Sequence, residues 1–263
     1  MIRVAVTGAG GRMGRMVLAA LGEREEVATL TAAVERPGHD AVGREAAPGI
    51  VIGSDLDAAL LLCDVVIDFT TPESTTATVA ACAERGVAAI VGTTGLSDAD
   101  RAALARAAER VPVVWGANYS VGVNLLATLV EQAARALGLD WDLEIVEAHH
   151  RGKRDAPSGT ALALAEAGAR GRDVKLREVA RTMRSGDVGP RPRGEIGIVA
   201  QRGGDVVGEH TVTFFGDGER IELVHRATSR AIFARGAVGA ALWAVGRPPG
   251  LYSPTDALDI GRG

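Results

Sequence analysis

Aromatic side chains are scarce in this chain: three Trp, two Tyr and four Phe make up 3% of 263 residues. So few rings cannot supply rows of base-stacking platforms or the interfacial belts of membrane spans. Positive charge is not in excess either. The 29 basic residues face 33 acidic ones, a net charge of −4 with a pI near 5.8, so no global field draws a polyphosphate backbone. No run of about 20 apolar residues occurs. Met1-Ile2-Arg3-Val4-Ala5-Val6 leads straight into a strand and a Gly-rich turn rather than a cleavable leader, which reads as a cytoplasmic protein without nucleic-acid or membrane partners. Cysteine is rare too. Cys63 and Cys82 lie neither in a CxxC spacing nor beside His ligands, so both read as reduced core thiols and no metal site is expected.

What is present is the composition of a globular protein, 47% hydrophobic and 24% charged with 34 Gly and 10 Pro. At ~150 residues per domain the length gives about 1.8 domains, either one large or two modest. In the first third, short apolar runs alternate with longer amphipathic ones, the pattern of a parallel sheet crossed by helices. Strands are predicted at Ile2–Thr7, Leu30–Val34, Val65–Phe69, Ala88–Val91 and Val113–Trp115, and helices at 14–21, 73–85 and 98–110. The fold class is α/β, a Rossmann-like doubly wound sheet. From about residue 121 the texture changes. A long Ala/Leu helix (121–137), a strand (Asp142–Ala148) and a helix from Ser158 precede hairpin-like runs at Ile196–Gln201, Val206–Phe215 and Arg220–Arg226, joined by Gly203-Gly204 and Gly216-Asp217-Gly218. That predicts an α+β part with a mixed or antiparallel sheet. The Gly/Pro-dense stretch Ser185–Gly194 reads as an exposed loop, with Arg184, Arg191 and Arg193 solvated or at a subunit contact. An Ala-rich helix, 229–245, ends the pattern.

Directly after the first strand comes Gly8-Ala9-Gly10-Gly11-Arg12-Met13-Gly14, which fits G-x-x-G-x-x-G and opens a helix. Glycine permits the tight turn and close backbone approach, and the helix N-terminus receives a pyrophosphate. About 20 residues on, Val34-Glu35-Arg36 ends the second strand. Glu35 suits the ribose hydroxyls of NAD, whereas the Arg36 guanidinium suits the 2′-phosphate of NADP. Gly92-Thr93-Thr94-Gly95 and Gly116-Ala117-Asn118-Tyr119 follow later parallel strands, at the carboxyl ends where such sheets bind ligands.

The stretch Glu144 to Ala161 (EIVEAHHRGKRDAPSGTA) concentrates two of the five His with Lys153 and further charges beyond a strand, then enters a helix through Pro-Ser-Gly-Thr. Such a cluster is costly as core and useful for a small anion. The helix entrance at Gly159 and Thr160, capped by Ser158 or Asp155, suits a carboxylate. Either His149 or His150 has the titration range of a proton donor, and Lys153 would hold or protonate an anionic group. His210 and His225 fall in strand patterns and read as packed residues; His39 lies in a loop.

These residues together resemble the 4-hydroxy-tetrahydrodipicolinate (dihydrodipicolinate) reductase family. The family signature runs without a gap from Glu144 to Ala161, and the likeness extends to Gly8–Gly14, Glu35-Arg36, Phe69-Thr70, Gly92–Gly95, Asn118–Asn124, Gly208–Thr211 and Gly250–Ser253. The resemblance implies a cofactor domain formed by residues 1–120 and 231–263, with an inserted substrate-binding and oligomerisation domain at 121–230. It implies His149 as proton donor with Lys153 as its catalytic partner, and substrate binding by His150, Lys153, Gly159 and Thr160. NADH or NADPH would lie on Gly8, Ala9, Gly10, Gly11, Arg12, Met13, Glu35, Arg36, Gly92, Thr93, Thr94, Gly116, Ala117, Asn118 and Tyr119. The substrate would be a cyclic imine dicarboxylate of lysine and diaminopimelate biosynthesis, and the assembly a homotetramer built through the second domain's sheet.

Overall fold

The computed structural model describes residues 1–258; positions 259–263 of the expected segment 231–263 lie outside the described residues. The chain divides into two compact units, Met1–Val121 with the segment from Ala231 onward, and Gly122–Arg230.

The first unit alternates strand and helix: β1 (Ile2–Thr7), α1 (Arg12–Gly22), β2 (Ala28–Val34), β3 (Glu45–Ala47), β4 (Ile50–Gly53), α2 (Leu56–Leu60), β5 (Val65–Asp68), α3 (Pro72–Arg85), β6 (Ala88–Val91), α4 (Asp98–Ala108) and β7 (Pro112–Trp115). Local chemistry sets the helix ends. Helix α3 starts behind Thr71, whose hydroxyl accepts from the Ser74 N–H, has Pro72 in its first turn and stops at Gly86 with φ +70°. Helix α4 opens on a capping box between Ser97 and Asp100.

With β13 (Gly250–Tyr252), contributed by the chain's return, the eight strands of this unit run in the order β13-β7-β6-β5-β1-β2-β4-β3, parallel except for the β3–β4 pair. Strands β5 and β6 are buried along their whole length, because helices cover both faces. Helix α1 packs Val17, Ala20 and Leu21 on one face against Val4, Val6 and Ile67. On the other face Val79, Cys82, Leu104 and Ala107 of α3 and α4 meet Ala5, Val66, Ala89 and Val113.

The second unit holds α5 (Val121–Leu137, which begins on the last residue of the first unit), β8 (Asp142–His149), α6 (Gly159–Gly171), α7 (Leu176–Val179), β9 (Ala180–Arg181), β10 (Ile196–Arg202), β11 (Gly208–Gly216) and β12 (Glu219–Ala227). The chain then returns to the first unit with α8 (Ala231–Ala244), whose Ala237, Val238 and Ala241 join the α1 face, and with β13 (Gly250–Tyr252) beside β7.

The sheet of the second unit is mixed, in the order β12-β11-β8-β10-β9. One expectation is corrected. Gly203-Gly204 does not close a hairpin, because β10 lies parallel to β8 on one side while β11 lies antiparallel to β8 on the other. The apparent hairpin partners flank a third strand, and a local turn cannot reveal a strand inserted from 50 residues upstream. The β11–β12 hairpin is real, closed by Asp217-Gly218.

Helices α5 and α6 cover one face with Leu126, Val130, Leu164 and Ala165 against Leu143, Ile145, Ile198, Val212 and Phe214. On the opposite face Val224, Thr211, Val146 and Val199 stand in one row across four strands, and its three valines are 37–43% exposed. Of the exposed loop expected at Ser185–Gly194, residues 185–190, 192 and 193 are exposed, whereas Arg191 is half-buried and Gly194 buried. Its flanking arginines are not free in solvent. Arg184 forks onto Glu144 at 2.7 and 2.9 Å, and Arg191 reaches Asp142 at 2.6 Å and Glu144 at 3.1 Å, which pins the loop to the start of β8.

Candidate active site

In the first loop Gly8 takes φ +65°, a conformation that side chains with a Cβ rarely adopt. A Cβ at Gly14 would stand 2.1 Å from the Gly8 carbonyl oxygen, so α1 starts hard against the end of β1. Its N-cap is Gly11, which brings no side chain to the helix end. The result is a helix start with no capping side chain, whose first-turn backbone N–H groups can receive a pyrophosphate. The loop is tied to the end of β2: the Ala9 N–H donates to Val34 O at 3.1 Å and the Gly10 N–H to Glu35 Oε2 at 3.1 Å. Arg36 is exposed beside it.

The other predicted cofactor residues divide into surface and support. Gly92 is required by packing, since a Cβ there would fall 2.0 Å from the Phe69 ring. Thr94 is exposed, but Thr93 is buried with its hydroxyl 2.7 Å from that of Thr75. Thr75 donates in turn to the buried Asp68 carboxylate at 2.5 Å, which also accepts from Thr7 at 2.8 Å and Thr70 at 2.6 Å. Gly116 packs on the Pro254 ring, Ala117 is exposed, and the Asn118 side chain accepts from the Ser120 N–H at 2.8 Å. Tyr119 turns its side chain into the core. The phenol is 3% exposed and donates to the carbonyls of Val91 and Val114, so only its backbone is left to face a ligand.

In the second unit, strand alternation builds the chemical site. Leu143, Ile145 and Glu147 point to the helix-covered face, and Glu147 is fully buried. His149 follows two residues on, its Nδ1 2.5 Å from Glu147 Oε2. Arg202, the register partner of His149 on β10, forks onto both oxygens of Glu147 at 2.8 Å each. Burial pushes the Glu147 carboxyl up, but Arg202, His149 and the Ser158 N–H outweigh it and leave it below its ordinary value.

Across the sheet His210 is paired in register with Glu147 and stacks edge-on to His149 at 5.3 Å. Its Nε2 lies 3.2 Å from Ser158 Oγ, and burial pushes its imidazole down to about 4. Ser158 caps α6 by accepting from the Ala161 N–H at 3.1 Å, which places Gly159 and Thr160 in the first turn. Lys153 reaches both oxygens of Asp155 at 2.9 and 2.8 Å, and His150 Nε2 lies 3.4 Å from the Arg230 guanidinium. A separate cavity of about 590 Å³ at the amino ends of the first unit's strands, lined by Arg3, Asp64, Arg85 and Arg110, contains none of these residues.

This combination of glycine cradle and His/Lys cluster also matches at the level of families. Dihydrodipicolinate reductase models fit the chain twice, the N-terminal one over residues 2–119 and the C-terminal one over 122–258. The chain belongs to the dihydrodipicolinate reductase family. The 4-hydroxy-tetrahydrodipicolinate reductase of Alkalilimnicola ehrlichii is 52% identical over 98% of this chain and 99% of its own, and that of Halorhodospira halophila is 51% identical over 98% of each. A dipicolinate-bound dihydrodipicolinate reductase from Paenisporosarcina sp. TG-14 shares the fold with a TM-score of 0.80 at 24% identity, over 96% of this chain and 97% of its own. As a family member the chain is an NAD(P)H-dependent oxidoreductase, and residues 2–119 match the family's N-terminal, nucleotide-binding domain.

Three residues in contact with this cluster escaped the reading of the sequence: Glu147, Arg202 and His210. The signal for Glu147 was present, because the apolar face of β8 continues through a carboxylate in step with Leu143 and Ile145. Arg202 and His210 sit on strands remote in sequence, and only the register of β10 and β11 against β8 brings them to the cluster.

Proposed function

We propose that this protein reduces 4-hydroxy-tetrahydrodipicolinate to tetrahydrodipicolinate with loss of water, in lysine and diaminopimelate biosynthesis. One observation carries the reading: a single buried carboxylate, Glu147, holds both His149 and the N-cap of the helix that begins at Gly159. A proton donor and an anion-binding helix end are therefore built as one piece.

The Gly8–Met13 loop with Glu35, Arg36, Gly92–Thr94 and Gly116–Tyr119 would hold NADH or NADPH, which would supply the hydride added at C4 of the conjugated ring left once the 4-hydroxyl has departed as water. His149 delivers the proton to C3. Lys153 and the first turn of α6 at Gly159 and Thr160 fix a substrate carboxylate, so that binding energy from groups that do not react sets the geometry of attack. His150 completes the substrate side, its ring held near Arg230. In this reading the first unit serves the cofactor and the second the substrate.

The exposed valine row of the second sheet supports a homotetramer assembled through that face. Among the described residues no helix is long and apolar enough to cross a membrane, which fits the cytoplasmic setting of a biosynthetic reductase.

The deciding experiment generates the substrate from pyruvate and aspartate semialdehyde with a condensing synthase and follows oxidation of each cofactor. Consumption of NADH or NADPH that depends on both precursors is expected; none with either cofactor overturns the reading.

A further inference from the structure

Glu147 carries a charge in a place where charge is costly. It is fully buried, and it continues the face of β8 that packs Leu143 and Ile145 into the core. Such a carboxylate persists only if its oxygens are paired and hydrogen-bonded. Here each oxygen has two donors: Oε2 takes His149 Nδ1 at 2.5 Å and Arg202 Nη1 at 2.8 Å, and Oε1 takes the Ser158 N–H at 3.0 Å and Arg202 Nη2 at 2.8 Å. An ionised carboxylate only accepts, so His149 must carry its proton on Nδ1.

That leaves Nε2 as the atom that exchanges a proton with a ligand. The Nε2 side of the ring is bounded by Gly208, where a Cβ would stand 3.0 Å away, so the small residue leaves the space beside it clear. Arg202 is held in place on its far side, donating to the carbonyls of Gln201 and Asp155 at 2.6 Å each.

We propose that Glu147, clamped by Arg202, is the positioning residue of this reductase: it locks His149 in the Nδ1–H tautomer with Nε2 presented to the substrate, and through Ser158 it sets the helix end that takes the substrate carboxylate. The proposal rests on the reading of His149 as proton donor. A carboxylate behind an imidazole orients the ring and favours its protonated form, as it does behind catalytic and metal-binding histidines generally. A buried Glu–Arg pair with a purely structural task predicts a different outcome, because it gives the imidazole no preferred tautomer and the reaction no altered pH dependence.

The charged and titratable groups facing His149 are Glu147 on its own strand, Arg202 from β10 and His210 from β11, with Lys153 in the following loop near enough to act on His210. Of these only Glu147 is negative, so its loss makes the protonated ring harder to keep.

The test uses the full-length reductase and the conservative variant Glu147→Gln, with His149→Gln beside it. In Glu147→Gln, kcat should fall by about 10²–10⁴-fold. The alkaline limb of the kcat–pH profile should move to lower pH, and NADH affinity should stay within about twofold. Glu147→Asp should restore part of kcat. Long-range ¹H–¹⁵N spectra of histidine-labelled enzyme, with the His149 signals assigned by their loss in His149→Gln, should show the Nδ1–H tautomer in the wild type and a mixture in Glu147→Gln. If Glu147→Gln only lowers the melting temperature, with kcat within threefold and the limb unmoved, the pair is structural and the proposal is overturned while the proton-donor reading stands. If His149→Gln keeps wild-type turnover, the proton-donor reading itself fails and the positioning role falls with it. Should Glu147→Gln not fold, an Nε2–H tautomer in the wild-type spectrum is by itself enough to overturn the proposal.

Discussion

Glu35 Oε2 accepts a hydrogen bond from the Gly10 N–H at 3.1 Å, while its other oxygen accepts from the N–H of Arg36 at 3.0 Å. The acidic residue just past β2 thus ties the glycine loop to the end of that strand. Arg36, next in the chain, is exposed and forms no ion pair among the described residues.

This arrangement makes cofactor choice separable. Arg36→Ala should weaken NADPH by about tenfold or more, the worth of one charge-assisted contact, and NADH by less than about twofold. Fluorescence titration with each cofactor measures both; equal losses remove Arg36 from the 2′-phosphate site.

The roles proposed for His149 and Lys153 predict a different signature. Both His149→Gln and Lys153→Ala should lower turnover by about 10²–10⁴-fold and leave cofactor binding near normal, because neither residue belongs to the nucleotide-binding unit. Steady-state kinetics with equilibrium cofactor titration decides it. Near-normal turnover in both variants is the result that sinks the assignment.

His210 ties stability to pH. Its folded value of about 4 lies below the ~6.5 of an unfolded histidine, so between those values the unfolded chain binds a proton that the folded chain refuses. Stability from this group is fully present above pH ~6.5 and is lost as pH falls toward 4, by roughly 3 kcal/mol at most. Urea unfolding of wild type and His210→Gln at pH 7, 5 and 4 should show a shallower acid loss in the variant. Identical slopes would remove His210 as the cause.

The valine row offers an assembly test. Placing Asp at both Val146 and Val199 puts two charges in the middle of the face inferred to meet other subunits, where burial without a partner is costly. Light scattering on a sizing column should read four chains for the wild type and fewer for the double variant. A tetramer that survives the change locates its interface elsewhere.

The sequence made the first unit easy to read for a physical reason. Its strands are short apolar runs and its helices carry explicit stops and starts, such as Thr71-Pro72 and Gly86, so local rules and global fold agree. The signature around His149 was legible because so many costly charges crowd one segment. What stayed hidden depended on register. Nothing near Ile196 announces that β8 will lie between it and Val206, and once that insertion is made Arg202 and His210 arrive beside Glu147 from opposite sides. Tyr119 was hidden in another way: it follows a strand end in a polar turn, yet its phenol is buried against the carbonyls of Val91 and Val114.

The return of α8 to the first unit governs the order in which the protein can be made. During synthesis the second unit is complete once Arg230 has emerged, while one face of the first sheet still waits for Ala237, Val238 and Ala241. Until those residues arrive, Val4, Val6, Ile67 and Ile90 lack part of their cover, a state that invites association with other nascent chains. The first unit is begun first and finished last, so a nascent chain that has emerged only as far as residues 230–244 would carry a complete second unit and an unfinished first one.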